Sequence, residues 1–147
     1  MNTKYMGIDY GEKRVGISVS DESKKFSFNR DYIFNDKDFY KNLTKLIITE
    51  NVSNIVIGYP VKLNSDRTEQ TDNVDKFAED LRKYLESNNV KAELAFFDER
   101  LTSKIAAESL LRSGIKKMKR REKGLVDGIS AQLILQDYLD KMNYSGR

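Results

Sequence analysis

The chain has 147 residues, 39% hydrophobic and 33% charged, with a net charge of +3, enough for one domain with a buried core. It contains no cysteine and no histidine, which excludes disulfides, thiolate or imidazole zinc sites, and Ser-His-Asp or Cys-His catalysis. No apolar run is long enough to span a bilayer and no charged-then-apolar leader opens the sequence, so a cytoplasmic protein with no membrane partner is expected.

The first predicted strand is "KYMGID", Lys4 to Asp9, followed by a turn over Tyr10 to Lys13. In the second, "RVGISVSD", Val15, Ile17 and Val19 alternate with Arg14, Gly16 and Ser18, the period of a half-buried strand. A third strand is expected from Phe26 to Phe34, and the short connections make the three an antiparallel meander. "DKDFYKNLTKLIITEN" then changes period, with Phe39, Leu43, Leu46 and Ile47 at helical spacing and Asp36 or Asp38 at the start. "NIVIGYP" is a short continuous apolar run, as in a buried parallel strand. A polar loop over 61–70 leads to a helix from Thr71 to Ser87, whose stripe is Val74, Phe77, Leu81, Tyr84 and Leu85. "VKAELAFFD" is a further strand. Thr102 is placed to cap a helix, "SKIAAESLLRSG", that Gly114 ends. "KKMKRREK", Lys116 to Lys123, holds six basic residues and one acid. It is either a phosphate-contacting segment or a solvated loop. A last helix covers Leu125 to Lys141. The order β-β-β-α-β-α-β-α-α predicts an α/β domain over 1–147. Its mixed sheet has a three-stranded antiparallel meander followed by parallel β-α-β units, with helices on both faces.

Three acidic positions stand out. Asp9 shares a strand face with Gly7 and Tyr5, and the next strand offers Gly16 and Ser18. That face is short of bulk, which fits close approach by another backbone or a ligand, although an aspartate that merely begins a turn is also common. "FFDER" ends the last strand, and alternation allows only one of Asp98 and Glu99 to join Asp9. Asp127 borders an apolar line of Ala131, Ile134 and Tyr138, beside a second line of Val126, Ile129 and Leu133, and is followed by Gly128. Three converging carboxylates repel one another, and a divalent cation removes the conflict. Oxygen ligands favour Mg²⁺ or Mn²⁺, and two such ions about 4 Å apart suit phosphodiester hydrolysis without any histidine.

"GIDYGEKRVGIS", "IVIGYP", "DERLTS" and "KGLVDGISAQLIL", in this order and over nearly the whole chain, resemble the YqgF family of RNase H-like proteins, also called RuvX-like. The resemblance implies an RNase H-like fold and a metal-dependent nuclease. It implies Asp9, Glu99 and Asp127 as the catalytic, metal-binding acids, with Glu99 preferred to Asp98 by that analogy alone. It associates the chain with the 5′ end of pre-16S rRNA or with four-way DNA junctions, the latter suiting a homodimer rather than a monomer. Arg67 stands where relatives tend to carry glycine. Lys116, Lys117, Lys119, Arg120, Arg121 and Lys123 are the expected phosphate contacts, with Arg14 and Arg100 nearer the acids. Two other readings stay open at this stage. One is an RNase H-like module that binds nucleic acid without cutting it. The other is an actin-like nucleotide-binding hairpin, disfavoured because the chain has no room for a second domain and no P-loop pattern.

Overall fold

The computed structural model describes residues 2–60, 69–98 and 123–145, without the side chains of 69–70, 123–127 and 144–145. The loop over 61–68 with Arg67, the expected helix Ser103 to Gly114 with its Thr102 cap, Glu99, Arg100 and the basic residues 116–121 lie outside the described residues. The described elements are β1 (Lys4–Asp9), β2 (Arg14–Ser20), β3 (Ser27–Phe34), α1 (Phe39–Thr49), β4 (Val52–Tyr59), α2 (Glu69–Ser87), β5 (Glu93–Asp98) and α3 (Lys123–Ser145). They form one five-stranded sheet in the order β3-β2-β1-β4-β5. β1, β2 and β3 are antiparallel neighbours, whereas β4 runs parallel to β1 and β5 parallel to β4. The expected meander and crossovers are therefore present. α2 begins two residues earlier than the periodicity indicates, and α3 extends beyond both of its expected ends.

Alternation along the strands divides the sheet into two faces. Met6, Ile8, Val15, Ile17, Val19, Ile55 and Ile57 point to one and pack with Phe39, Leu43 and Ile47 of α1 and Val74, Phe77, Leu81 and Leu85 of α2. Each such side chain fully removed from water contributes about 1.5–3 kcal/mol, so this layer dominates stability. Aromatic contacts extend it to the β1–β2 turn, where Tyr10 lies 4.6 Å from Phe77 between ring centroids. The opposite face packs on α3 through a smaller cluster of Val56, Phe97, Ile134, Leu135 and Leu139.

In α3, Ala131, Ile134, Leu135 and Leu139 are the buried positions, whereas Ile129 and Leu133 are only half-buried. Of the two lines, the one with Ala131 and Ile134 is the more deeply buried.

Away from the site, Glu50 ties three segments together. Its carboxylate accepts from Lys4 Nζ at 2.9 Å and from Arg30 Nε at 2.7 Å. Burial pushes this carboxyl up, but hydrogen bonds and charge from Arg30 and Lys4 outweigh it and hold the group below the ordinary range. A depressed carboxyl stabilises the fold above its unfolded value, and that contribution is lost as pH falls through the folded one. Partial exposure keeps it under about 1 kcal/mol.

Candidate active site

Asp9 is the last residue of β1 and half-buried. Across the antiparallel ladder it pairs with Gly16, which in turn pairs with Tyr32 of β3. On its other side the β1–β4 register runs from Gly7 with Val56 to Ile8 with Ile57, so the next position beside Asp9 is Gly58. Gly58 pairs with Phe97 of β5. Asp9 therefore stands in a row of the sheet between two glycines, which carry no side chain at the positions beside it.

Of the two causes the sequence allows for small residues on this face, approach of another backbone holds at Gly7 and Ser18. A Cβ at Gly7 would lie 2.7 Å from Leu135 Cβ and 2.8 Å from the Ala131 carbonyl oxygen, and would also strike Ser18 Oγ. The Ser18 hydroxyl already donates to the Ala131 carbonyl at 2.8 Å. Gly7 and Ser18 are small so that α3 can lie against the sheet backbone, not to admit a ligand at those two positions. Gly128 has the same role one turn earlier, since a Cβ there would meet the Asp31 carbonyl oxygen at 2.8 Å and the Asn29 side chain. Asp31 has φ of 60°, at the place where the β2–β3 register shifts. The bulge thus forms the seat for the start of α3.

This close packing sets the level of the helix. Tyr5 meets Tyr138 at 6.2 Å between centroids, and Gly7, two residues on, meets Leu135 and Ala131. α3 therefore runs antiparallel to β1. Two strand residues advance about 6.6 Å and one helical turn about 5.4 Å. The next step brings Asp9 level with the backbone at 127–128. The side chain of Asp127 lies outside the described residues.

The register also separates the two acids of "FFDER". Phe97 lies on the α3 side, 5.9 Å from Tyr138 between centroids, whereas Asp98 pairs with Tyr59. Phe96 lies with Tyr59 on the other side, at 4.9 Å. Asp98 therefore belongs to the face turned away from Asp9. Sequence alternation left the choice between Asp98 and Glu99 open; the ladder places Asp98 on the face opposite Asp9.

Among the described residues, no three acidic side chains form a metal-binding group. Of the expected triad, Asp9 is described fully, residue 127 by its backbone, and Glu99 not at all. The donor type fits a hard cation, because a carboxylate flanked by two glycines leaves room for oxygen coordination. Arg14 stands on the Asp9 face, with its guanidinium carbon 5.9 Å from the Tyr32 ring centroid. Lys123 lies in the first turn of α3. Tyr32 and Phe34, on the same face as Asp9, escaped the sequence reading; the alternating aromatics of "DYIF" were the available signal. No helix among the described residues is long and apolar enough to cross a membrane.

A family model described as RuvX, Holliday junction resolvase, matches residues 3–141. The chain belongs to this RuvX family. A relative from Sulfurihydrogenibium sp. (strain YO3AOP1), named "Putative pre-16S rRNA nuclease", is 35% identical over 97% of this chain and 94% of its own. A Bacteroides fragilis (strain ATCC 25285) relative of the same name is 37% identical over 94% of this chain and 96% of its own. One from Phocaeicola vulgatus (strain ATCC 8482), again so named, is 35% identical over 97% and 99%. Among solved structures, T. thermophilus RuvC in complex with Holliday junction substrate superimposes with a TM-score of 0.58 at 13% identity, covering 96% of both chains. This RuvX-family chain therefore has the RNase H-like fold, and its family and relatives carry the names of nucleases.

Proposed function

We propose that this protein is a divalent-metal-dependent endonuclease whose substrate is the 5′ end of pre-16S rRNA, with Asp9, Glu99 and Asp127 as its acidic ligands. The observation that carries the reading is the row Gly16–Asp9–Gly58 beneath the start of α3: a carboxylate between two glycines and level with the turn that holds Asp127. The exclusion of Asp98 from that face supports Glu99 as the third member. Mg²⁺ or Mn²⁺ at such a site supplies an activated water and stabilisation of the leaving oxygen. Asp9 and its partners would position the cations. Arg14, Arg100, Lys116, Lys117, Lys119, Arg120, Arg121 and Lys123 would hold the phosphate backbone, making affinity fall with salt. The expected setting is the cytoplasm.

The names of the curated relatives favour the RNA substrate. The family description and the RuvC neighbour's junction complex favour a second reading, cleavage of four-way DNA junctions by a dimer. Competition at fixed salt and Mg²⁺ between a 5′-extended 16S precursor RNA and a four-way DNA junction separates them. Preferential cutting of the RNA is expected. Cutting of the junction alone supports the second reading, and binding of both with no cutting leaves a non-catalytic module.

A further inference from the structure

Tyr32 and Phe34 sit on the edge strand β3, on the same sheet face as Asp9. The register fixes this: Asp9 pairs with Gly16, Gly16 with Tyr32, and Arg14 with Phe34. Ile33, between them, packs into the core on the other side. Two inter-strand spacings separate the Asp9 and Tyr32 backbones, about 10 Å. The two rings contact edge to face, 5.0 Å between centroids at 86°. Arg14 lies over the Tyr32 ring, and Phe34 is 56% exposed.

Phe26, Phe28 and Phe96 are about as exposed, so exposure does not single out Phe34; its face and its neighbours do. Here one ring is braced by a second and the pair stands beside a guanidinium. Aromatic faces with a cation alongside match the chemistry of an unpaired nucleotide, which offers a flat π surface and a phosphate. We propose that Phe34, braced by Tyr32 and Arg14, is a stacking platform for an unpaired base of the nucleic acid near the nucleotide held at Asp9. The proposal rests on the nuclease reading above and adds a substrate feature to it: single-stranded character on the β3 side of the cleavage point. Stacking tolerates any base, so the platform selects strand state rather than sequence.

The chain contains no tryptophan, so Phe34→Trp installs a single fluorescent reporter at the platform. The probes are a single-stranded RNA oligomer and the same backbone with abasic positions, both without divalent ion. Quenching by the oligomer, and none by the abasic backbone, is expected. Phe34→Ala should bind the oligomer about five-fold or more weakly, with its salt dependence unchanged, since no phosphate contact is removed. Its melting temperature serves as the folding control. Equal affinity of wild type and Phe34→Ala for the oligomer, or equal quenching by the abasic backbone, would overturn the platform. A Phe34→Ala change in oligomeric state with binding unaltered would assign the face to a second copy of the chain instead, which also overturns it. Because no cutting is measured, loss of the nuclease reading leaves these results standing, and loss of stacking leaves cutting by wild type intact.

Discussion

Asp9→Asn should lower Mg²⁺-dependent cleavage by on the order of 10³-fold or more while leaving the protein folded. Metal-ligand stabilisation of a phosphodiester transition state is worth several kcal/mol, and each 1.36 kcal/mol is tenfold in rate. The substitution keeps the size of the side chain and both flanking glycines, so the row Gly16–Asp9–Gly58 is undisturbed. Single-turnover cleavage with excess enzyme measures the chemical step, and a thermal melt checks the fold. Binding of uncut substrate should stay close to wild type, because the phosphate contacts come from other residues. A variant that cuts at the wild-type rate would remove Asp9 from the catalytic set.

The second large effect concerns a residue that touches no substrate. Gly7→Ala places a methyl group against Leu135 Cβ and against a backbone carbonyl, that of Ala131, which has no rotamer to adopt. Overpacking of this kind costs about 1–3 kcal/mol. For a chain of this size that lowers the melting temperature by roughly 2–4 °C per kcal/mol. The relief available is for α3 to lift from the sheet, which moves the turn at 127 away from Asp9. A displacement near 1 Å in a catalytic arrangement can cost about 10²-fold in rate. Cleavage should therefore fall well below what the lost stability explains, measured at a temperature where the variant is fully folded. Lys141→Ala, on an exposed part of the same helix, should change neither. Gly7→Ala with wild-type melting and wild-type cleavage would show that helix approach does not set the site.

Much of the fold was legible because two strands carry plain apolar patterns. Val15, Ile17 and Val19 announce a buried face, and the run "NIVIG" a strand covered on both sides. The site was legible only in part. Asp9 could be singled out from its small neighbours, but the cause of Gly7 stayed open, because a glycine looks the same whether it admits a ligand or another backbone. Only the position of Ala131 and Leu135 above it distinguishes the two. The choice between Asp98 and Glu99 depended on which face of β5 meets α3, a matter of register with β4 that no local pattern encodes. Tyr32 and Phe34 read as ordinary strand aromatics until the ladder placed Tyr32 in the row of Asp9 and Phe34 on the same face beside Arg14.

The most direct test of the account is a crystal soaked in Mn²⁺ and measured at an anomalous wavelength. The account predicts anomalous density between the start of α3 and the end of β1, with oxygen atoms of Asp9, Glu99 and Asp127 at about 2.0–2.2 Å from the ions. Well-ordered carboxylates of Glu99 and Asp127 turned away from Asp9, with no anomalous peak at its side chain, would contradict it.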